Sequence, residues 1–427
     1  MKRRSLLGLG ALTALGLWVA RPSDAGRVHN AYFGQLQGLL QAQGGGQPLL
    51  VIDLERLDAN VAVLWQRLAK PLGRPSALPV RLVVNSLSSH GLLDYLSRAL
   101  QTRRFMLFTQ PQLLQLARRL PEADLLLGKP LPVDAALAFY QQMTAPGTFD
   151  PTRQLTWLID TRQRLAEYAE LAQALKQPLQ IAFEIDVGMA RGGFAAPGDL
   201  VQALAWLQST SAPLRVRGLM GYDGHLQHSP PWVDQIDAHR ESCARYQAFI
   251  EAAQATPGWP DQPLLNGAGS FSYALHCSQG TPLSEIALGS ALLKPSAFDT
   301  PLLHAHRPAV WIASPVLKCQ GGETPPLAVL QRLRQAWNPN RERIFFLDGG
   351  WSANPESPPG LRYDDDDAED DRRGQARFSG SSGTGLTVDD WVFLRPRRAE
   401  GLLGAFNELR LLRHSRLVGT WSPLPPL

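Results

Sequence analysis

IAFEIDVGMARGG (residues 181–193) runs from a buried-looking apolar stretch into a charged pair and then a glycine-rich turn. The same order recurs in RGLMGYDGH (217–225) and in PLLNGAGS (263–270). Each string closes a strand on polar side chains and bare backbone, so such groups gather at one end of successive strands, where barrels build their sites. Outward from these three, strand-like runs alternate with longer helix-like stretches. They are RLVV near 81, FMLF at 105, DLLL at 124, LTWLI at 155, IAFEI at 181, RGLMG at 217, PLLNG at 263 and EIALG at 285. Parallel strands joined by crossover helices follow from that alternation, and eight of them over roughly 250 residues predict an α/β chain with a closed (β/α)8 TIM-type barrel. The competing arrangement is an open doubly wound sheet.

Upstream, LLVIDL (49–54) precedes a helical pattern that starts at Glu55, and the barrel is expected over residues 45–298. From about Thr300 the texture changes to AVWIAS, RIFFLDGG and DDWVFLRP, separated by proline and glycine, which predicts a smaller β-rich C-terminal domain over 299–427. Within it, YDDDDAEDDRRGQARFSGSSGTG (363–385) is charged and poor in apolar residues, so a mobile loop is expected there. A solvated loop explains the acidic run better than a cation site, since nothing nearby in sequence fixes the geometry a metal needs.

The formal charge of +4 is misleading, because Lys2, Arg3, Arg4 and Arg21 against Asp24 account for most of it before residue 26. A nearly neutral remainder argues against a nucleic-acid surface. Residues 1–25 read MKRRSLLGLGALTALGLWVARPSDA, a twin arginine, a short apolar stretch and small residues near Ala25. They resemble a twin-arginine export signal, which implies the export machinery as a partner and a periplasmic location. An uncleaved membrane anchor is the alternative. Cys243, Cys277 and Cys319 are odd in number and lack metal-like spacing, so they are expected to be buried thiols, with one disulfide open to an oxidising compartment.

Several residues could carry chemistry. Asn266, Gly267, Ala268, Gly269 and Ser270 follow the seventh strand, where barrels hold phosphate on backbone N–H groups. Arg191 is flanked by glycines just past the fifth strand, and Glu184 and Asp186 share a face there. Tyr222 ends the sixth strand, and His225 in the same loop can exchange protons near neutral pH. The pairs His225/His228 and His304/His306 have loosely ligand-like spacing but no third ligand in view.

The three strings together resemble the pyridoxal-phosphate fold-type III barrel family of D-threonine aldolase and the D-serine dehydratases, and more distantly the N-terminal domain of alanine racemase. The likeness runs over most of residues 45–425. It implies pyridoxal phosphate as cofactor, Arg191 against its ring, Tyr222 beside the pyridine, the 266–270 loop on its phosphate, and a homodimer. Where the family places its Schiff-base lysine, this chain reads RLVVNSLSS, with Asn85 in that position. An amide is neither nucleophilic nor titratable, so the cofactor would be held without a covalent bond. Lys294, past the eighth strand, is the nearer substitute, because strands one and eight adjoin in a closed barrel. Lys129 stands two strands away, about 10 Å around the wall.

A second departure concerns metal. Metal-dependent members carry a histidine and a cysteine near the C-terminus, whereas the matching stretch here, VDDWVFLRPRRAEG (388–401), has neither, so no metal is expected. Arg397 and Arg398 stand there instead, to bind a substrate carboxylate or to coat the surface. Two functions remain open. One is an amino-acid racemase or lyase of the aldolase or ammonia-lyase type, acting on D-amino acids or β-hydroxy amino acids and impaired by Asn85. The other is a non-catalytic pseudoenzyme that binds the cofactor or an amino acid.

Overall fold

A computed structural model describes residues 21–43, 45–143, 149–228, 232–321, 337–363 and 374–424. The apolar part of the leader and the acidic run 364–373 lie outside these residues. The described chain divides into two compact units.

The larger unit comprises Leu54–Ala309, Arg398–Leu409 and the described part of Thr420–Leu427. After β1 (Leu49–Asp53), which belongs to the other unit, eight strands follow in order. They are β2 (Val80–Val83), β3 (Arg104–Leu107), β4 (Asp124–Leu127), β5 (Leu155–Ile159), β6 (Leu179–Glu184), β7 (Leu214–Gly221), β8 (Leu264–Gly267) and β9 (Glu285–Leu288). Each pairs in parallel with the next, and β2 pairs with β9 through Val80↔Ile286 and Leu82↔Leu288, closing the barrel. The eight apolar runs of the sequence are these eight strands.

Local rules explain the alternation. The helix Leu54–Ala69 buries Leu57, Val61, Leu64 and Leu68, spaced by three and four, on one face. Ser89, Thr109 and Thr161 each cap a helix N-terminus by accepting a backbone N–H, so the chain turns from strand to helix at a hydroxyl.

The floor of the barrel is polar and fully paired. Arg81 on β2 is completely buried, and its Nε lies 2.5 Å from Glu285 Oε1 on β9. Its Nη2 reaches Asp124 Oδ1 at 2.9 Å and Glu285 Oε2 at 3.1 Å. Its Nη1 donates to the carbonyls of Phe105 and Asp124. All five guanidinium donors are thereby used. Arg104 adds a second cation on Glu285 Oε2 at 3.1 Å.

The smaller unit is assembled from the described part of Met1–Asp53 with Val310–Arg397 and Arg410–Gly419. Its strands are β10 (Val310–Gly321), β11 (Arg343–Asp348), β12 (Ala353–Ser357), β13 (Arg362–Tyr363), β14 (Gln375–Gly380), β15 (Trp391–Pro396), β16 (Leu409–Arg413) and β17 (Arg416–Trp421), together with β1. The main path runs β13-β14-β11-β10-β1-β16-β17, and β15 bridges β10 and β12. The helix Ala31–Gln43 packs Phe33, Leu36 and Leu40 against Trp311, Phe393 and Leu412 of this sheet. The rings of Phe33 and Phe393 stack at 5.0 Å.

Three expectations differ from what is found. LLVID (49–53) is not part of the barrel unit, whose first segment begins at Leu54 and runs to Ala309 rather than over 45–298. β1 pairs antiparallel with β10, Leu49 opposite Ala313, because its buried residues face the aromatic sheet core. The segment 363–385 is not one long loop: Tyr363 belongs to β13, and Gln375–Gly380 forms β14 in register with β11. Ala376 and Phe378 through Gly380 are buried there, with Arg377 less so, as in a strand covered along most of its length. The three cysteines are all free thiols, with Cys277 buried and Cys243 and Cys319 partly so.

Candidate functional site

A cavity of about 450 Å3 opens at the C-terminal ends of the barrel strands. Its walls include Met106, Phe108, Met189, Met220, Phe271 and Phe298. Phe271 and Phe298 stack at 4.0 Å. Among these apolar walls the polar groups are few.

Asn85 lies in the single turn Val84–Ser86 directly after β2 and lines the cavity. Its Oδ1 is buried and takes no hydrogen bond, as is also true of Asn266 Oδ1 on β8. The Asn266 side chain donates through Nδ2 to Glu285 Oε1 at 2.7 Å, so one end of this amide is tied to the floor network while its acceptor is left over. Two buried acceptors without donors cost stability unless a ligand supplies the donors.

The loop after β8 provides the complementary chemistry. Ala268, Gly269 and Ser270 have N–H groups with no partner among the described residues. Ser270 Oγ accepts from the N–H groups of Gly289 and Ala291 at 3.2 and 3.0 Å, which leaves its own hydrogen to donate elsewhere. Gly269 is required by close approach, since a Cβ there would stand 2.8 Å from the Tyr222 ring.

The loop after β6 carries Arg191. Asp186 Oδ1 accepts the N–H groups of Gly188 and Ala190, folding the loop back. Gly193, at φ +86°, packs where a Cβ would meet the Glu184 carbonyl at 2.6 Å. The returned Arg191 bonds Glu184 Oε1 and the Gly128 carbonyl, both at 3.1 Å, and its guanidinium lies 5.1 Å from the Tyr222 ring centre. Glu184 therefore pairs with Arg191, while Asp186 is spent on the backbone of its own loop. Burial pushes the Glu184 carboxyl upward, and Arg191 offsets part of that. Burial, with the neighbouring Asp223, likewise raises the Tyr222 phenol, so it is a proton donor rather than a base at neutral pH.

Arg398 and Glu400 complete the lining. Glu400 Oε1 accepts from Ser86 Oγ at 2.8 Å and from Ser290 Oγ at 2.7 Å. Arg398 has no ion-pair partner among the described residues. No motif in the sequence singled out Glu400, Ser86 or Ser290; the only signal was their nearness to Arg398, Asn85 and the eighth strand.

Not every expected residue faces the cavity. His225 does not line it; its Nε2 bonds Ser242 Oγ at 3.1 Å. Lys294 is buried, and its Nζ donates to the His306 carbonyl at 2.7 Å. Lys129 is exposed and lies outside the lining, as does Arg397. His306 is bonded to Tyr273, and His304 is exposed. Among the described residues, then, no lysine lines the cavity. These residues do not fit pyridoxal phosphate bound as a Schiff base; they fit an anionic group held by hydrogen bonds alone.

Among solved structures, the chain is similar to the D-threonine aldolase from Filomicrobium marinum, at 15% identity and a TM-score of 0.69, covering 89% of this chain and 97% of that one. It is similar to the D-threo-3-hydroxyaspartate dehydratase from Delftia sp. HT23, at 16% identity and a TM-score of 0.63 over 89% and 98% of the two chains. For the alanine racemase from Bacillus anthracis the values are 12%, 0.62, 89% and 98%. Identities this low establish the fold alone. No curated protein sequence matches the chain. The closed parallel barrel, its mouth between glycine loops, and a match over residues 52–296 to the family described as alanine racemase, N-terminal domain, place the chain in that family.

Proposed function

We propose that the barrel mouth binds a small zwitterionic amino acid without a covalent bond, as a lysine-less member of its family. The observation that carries this reading is Asn85 Oδ1, buried and unpaired at the position where the family resemblance puts the lysine. An ammonium group has three donors to offer, and Asn85 Oδ1, Asn266 Oδ1 and Glu400 are acceptors for them. A carboxylate has the opposite need, met by Arg398 and the free N–H groups of 268–270. Apolar walls on Met106, Met220 and the Phe271–Phe298 stack leave room for a side chain.

A second reading is supported by the unpaired N–H groups of the 268–270 loop and by Arg191 over Tyr222: a pyridoxal-phosphate racemase or lyase of D-amino acids. Its cofactor would supply an electron sink at the amino acid's α-carbon. In this chain Ala268, Gly269 and Ser270 would hold the phosphate and Tyr222 would lie against the ring, with no amine to anchor it.

Calorimetric titration with D- and L-amino acids, and separately with pyridoxal phosphate followed by borohydride reduction and peptide mapping, distinguishes the two. Saturable binding of an amino acid to protein free of cofactor, with no trapped lysine, is expected. A reduced adduct on any native lysine, or no amino-acid binding at all, would overturn the proposal. In Asn85→Lys, the same mapping should recover an adduct at residue 85 that the parent protein lacks.

A further inference from the structure

Away from the mouth, the end of β7, the helix Gln235–Gln254 and the helix Tyr273–Ser278 enclose a small cavity of about 10 Å3, lined in part by Asp223, Cys243 and His276. That is room for one water or one ion. His239 and Cys243 stand four apart on the first helix and so share its face. The donor atoms of His239, Cys243 and His276 all lie within 4.8 Å of one another, and Asp223 Oδ2 is 2.9 Å from His276 Nε2. We propose that Asp223, His239, Cys243 and His276 form a structural site for a zinc-type divalent cation, separate from the mouth and from the C-terminal stretch where metal-dependent relatives carry their ligands.

Three features separate this group from an ordinary buried hydrogen-bond cluster. The first is spacing. Ligands sharing one tetrahedral zinc stand about 3.6 Å apart for sulfur and nitrogen and about 3.3 Å apart for nitrogen and oxygen, from bond lengths near 2.3 and 2.0 Å. Here Cys243 Sγ lies 3.9 Å from His239 Nδ1, the nitrogen not held on Gly280, and Asp223 Oδ2 lies 2.9 Å from His276 Nε2, a hydrogen bond that a cation would open by a few tenths of an ångström.

The second is outward anchoring. Metal-binding histidines hold their other nitrogen on an oxygen, which fixes the ring. His276 Nδ1 meets Thr281 Oγ1 at 2.8 Å, and His239 Nε2 meets the Gly280 carbonyl at 3.1 Å. Ser272 Oγ donates to Asp223 Oδ1 at 2.6 Å, so Oδ2 is the end turned to His276 Nε2. Each of these three side chains thus has one atom held and one turned inward.

The third is charge. Asp223 and His276 are almost wholly buried, and a dication bound there would face the carboxylate and the thiolate that forms on binding, beside two neutral imidazoles. A dication balances them, and the thiol proton leaves to solvent as the sulfur–metal bond forms. With Asp223 turned onto the cation as the fourth ligand beside the His239, Cys243 and His276 group, no coordination position is left open, so the role is structural. The site fixes the loop whose preceding residue, Tyr222, lines the mouth.

The test is elemental analysis of tag-free protein grown with added zinc, followed by exchange for cobalt. Near one equivalent of zinc per chain is expected, with tetrahedral ligand-field bands and a thiolate-to-cobalt charge-transfer band after exchange. Cys243→Ser should lose the charge-transfer band, while Cys319→Ser should keep it. If Cys243→Ser does not fold, the parent cobalt spectrum with the Cys319→Ser control decides. Folded parent protein that retains no zinc and shows no cobalt bands, or a band lost with Cys319→Ser, would sink the assignment.

Discussion

The two ends of the barrel treat buried polar groups in opposite ways. At the floor, every donor of Arg81 is matched, and Glu285 is held by Arg81, Arg104 and Asn266 at once. At the mouth, among the described residues, Asn85 and Asn266 keep buried oxygens without partners and three successive N–H groups have none either. The same fold that satisfies one end leaves the other incomplete. A buried polar group left unpaired costs stability until water or a bound molecule pairs it, so the mouth is the end that a ligand would complete.

The largest effect is expected from breaking the floor. Glu285→Ala strands the buried guanidinium of Arg81 and should cost about 3–5 kcal/mol in urea unfolding. A loss of less than about 1 kcal/mol would mean the floor relaxes around the vacancy and the contrast between the two ends is not energetic.

The barrel wall gives a test by pH. Arg67 donates to the Tyr273 hydroxyl, which then donates to His306 Nε2, so the proton of His306 sits on Nδ1, buried and unpaired. Burial, with the nearby cations of Arg67 and Lys294, pushes this imidazole down to about 3. The unfolded chain binds the proton near pH 6.5 and the fold does not, so stability is complete above that pH and is lost as pH falls toward 3. The loss should reach roughly 3 kcal/mol at pH 4. His306→Gln should flatten that dependence in thermal melts run from pH 7 to pH 4; an unchanged slope would assign it to other groups.

The smallest effect sharpens the reading of the mouth. Glu400→Gln should weaken amino-acid binding about fivefold in calorimetry, as loss of a partly exposed charge contact does, with the urea midpoint nearly unchanged. Tighter binding would instead mark the natural ligand as a simple anion.

The barrel was legible because most strands ended at or beside glycine or a charged residue, and three of the helices that follow opened on a capping hydroxyl. β1 was not, since LLVIDL is as apolar as any barrel strand and its partner at Val310–Ala313 lies beyond the whole barrel in sequence. Asn85, Arg191, Tyr222 and the 266–270 loop could be placed at the mouth because glycine marks where backbone approaches closely. Glu400 could not: a glutamate two residues past an arginine pair reads as surface, and only the return of Arg398–Leu409 to the barrel unit brings it beside Ser86 and Ser290. The His239, Cys243 and His276 group was hidden for a similar reason. Its i, i+4 pair was visible, but His276 and Asp223 reach it only through two helices and a strand end.

The pairing of β1 with β10 also sets a timetable. During synthesis Leu49–Asp53 emerges early, and the strand it must join is made only after all of Leu54–Ala309. Until then an apolar strand and the helix that carries Phe33, Leu36 and Leu40 have no sheet to cover. Pairings so distant in sequence form slowly, and unpaired apolar edges invite association with other chains. The helix Ala31–Gln43 and β1 thus wait longest for their partners, and a chain halted anywhere before Val310 would hold them permanently unpaired.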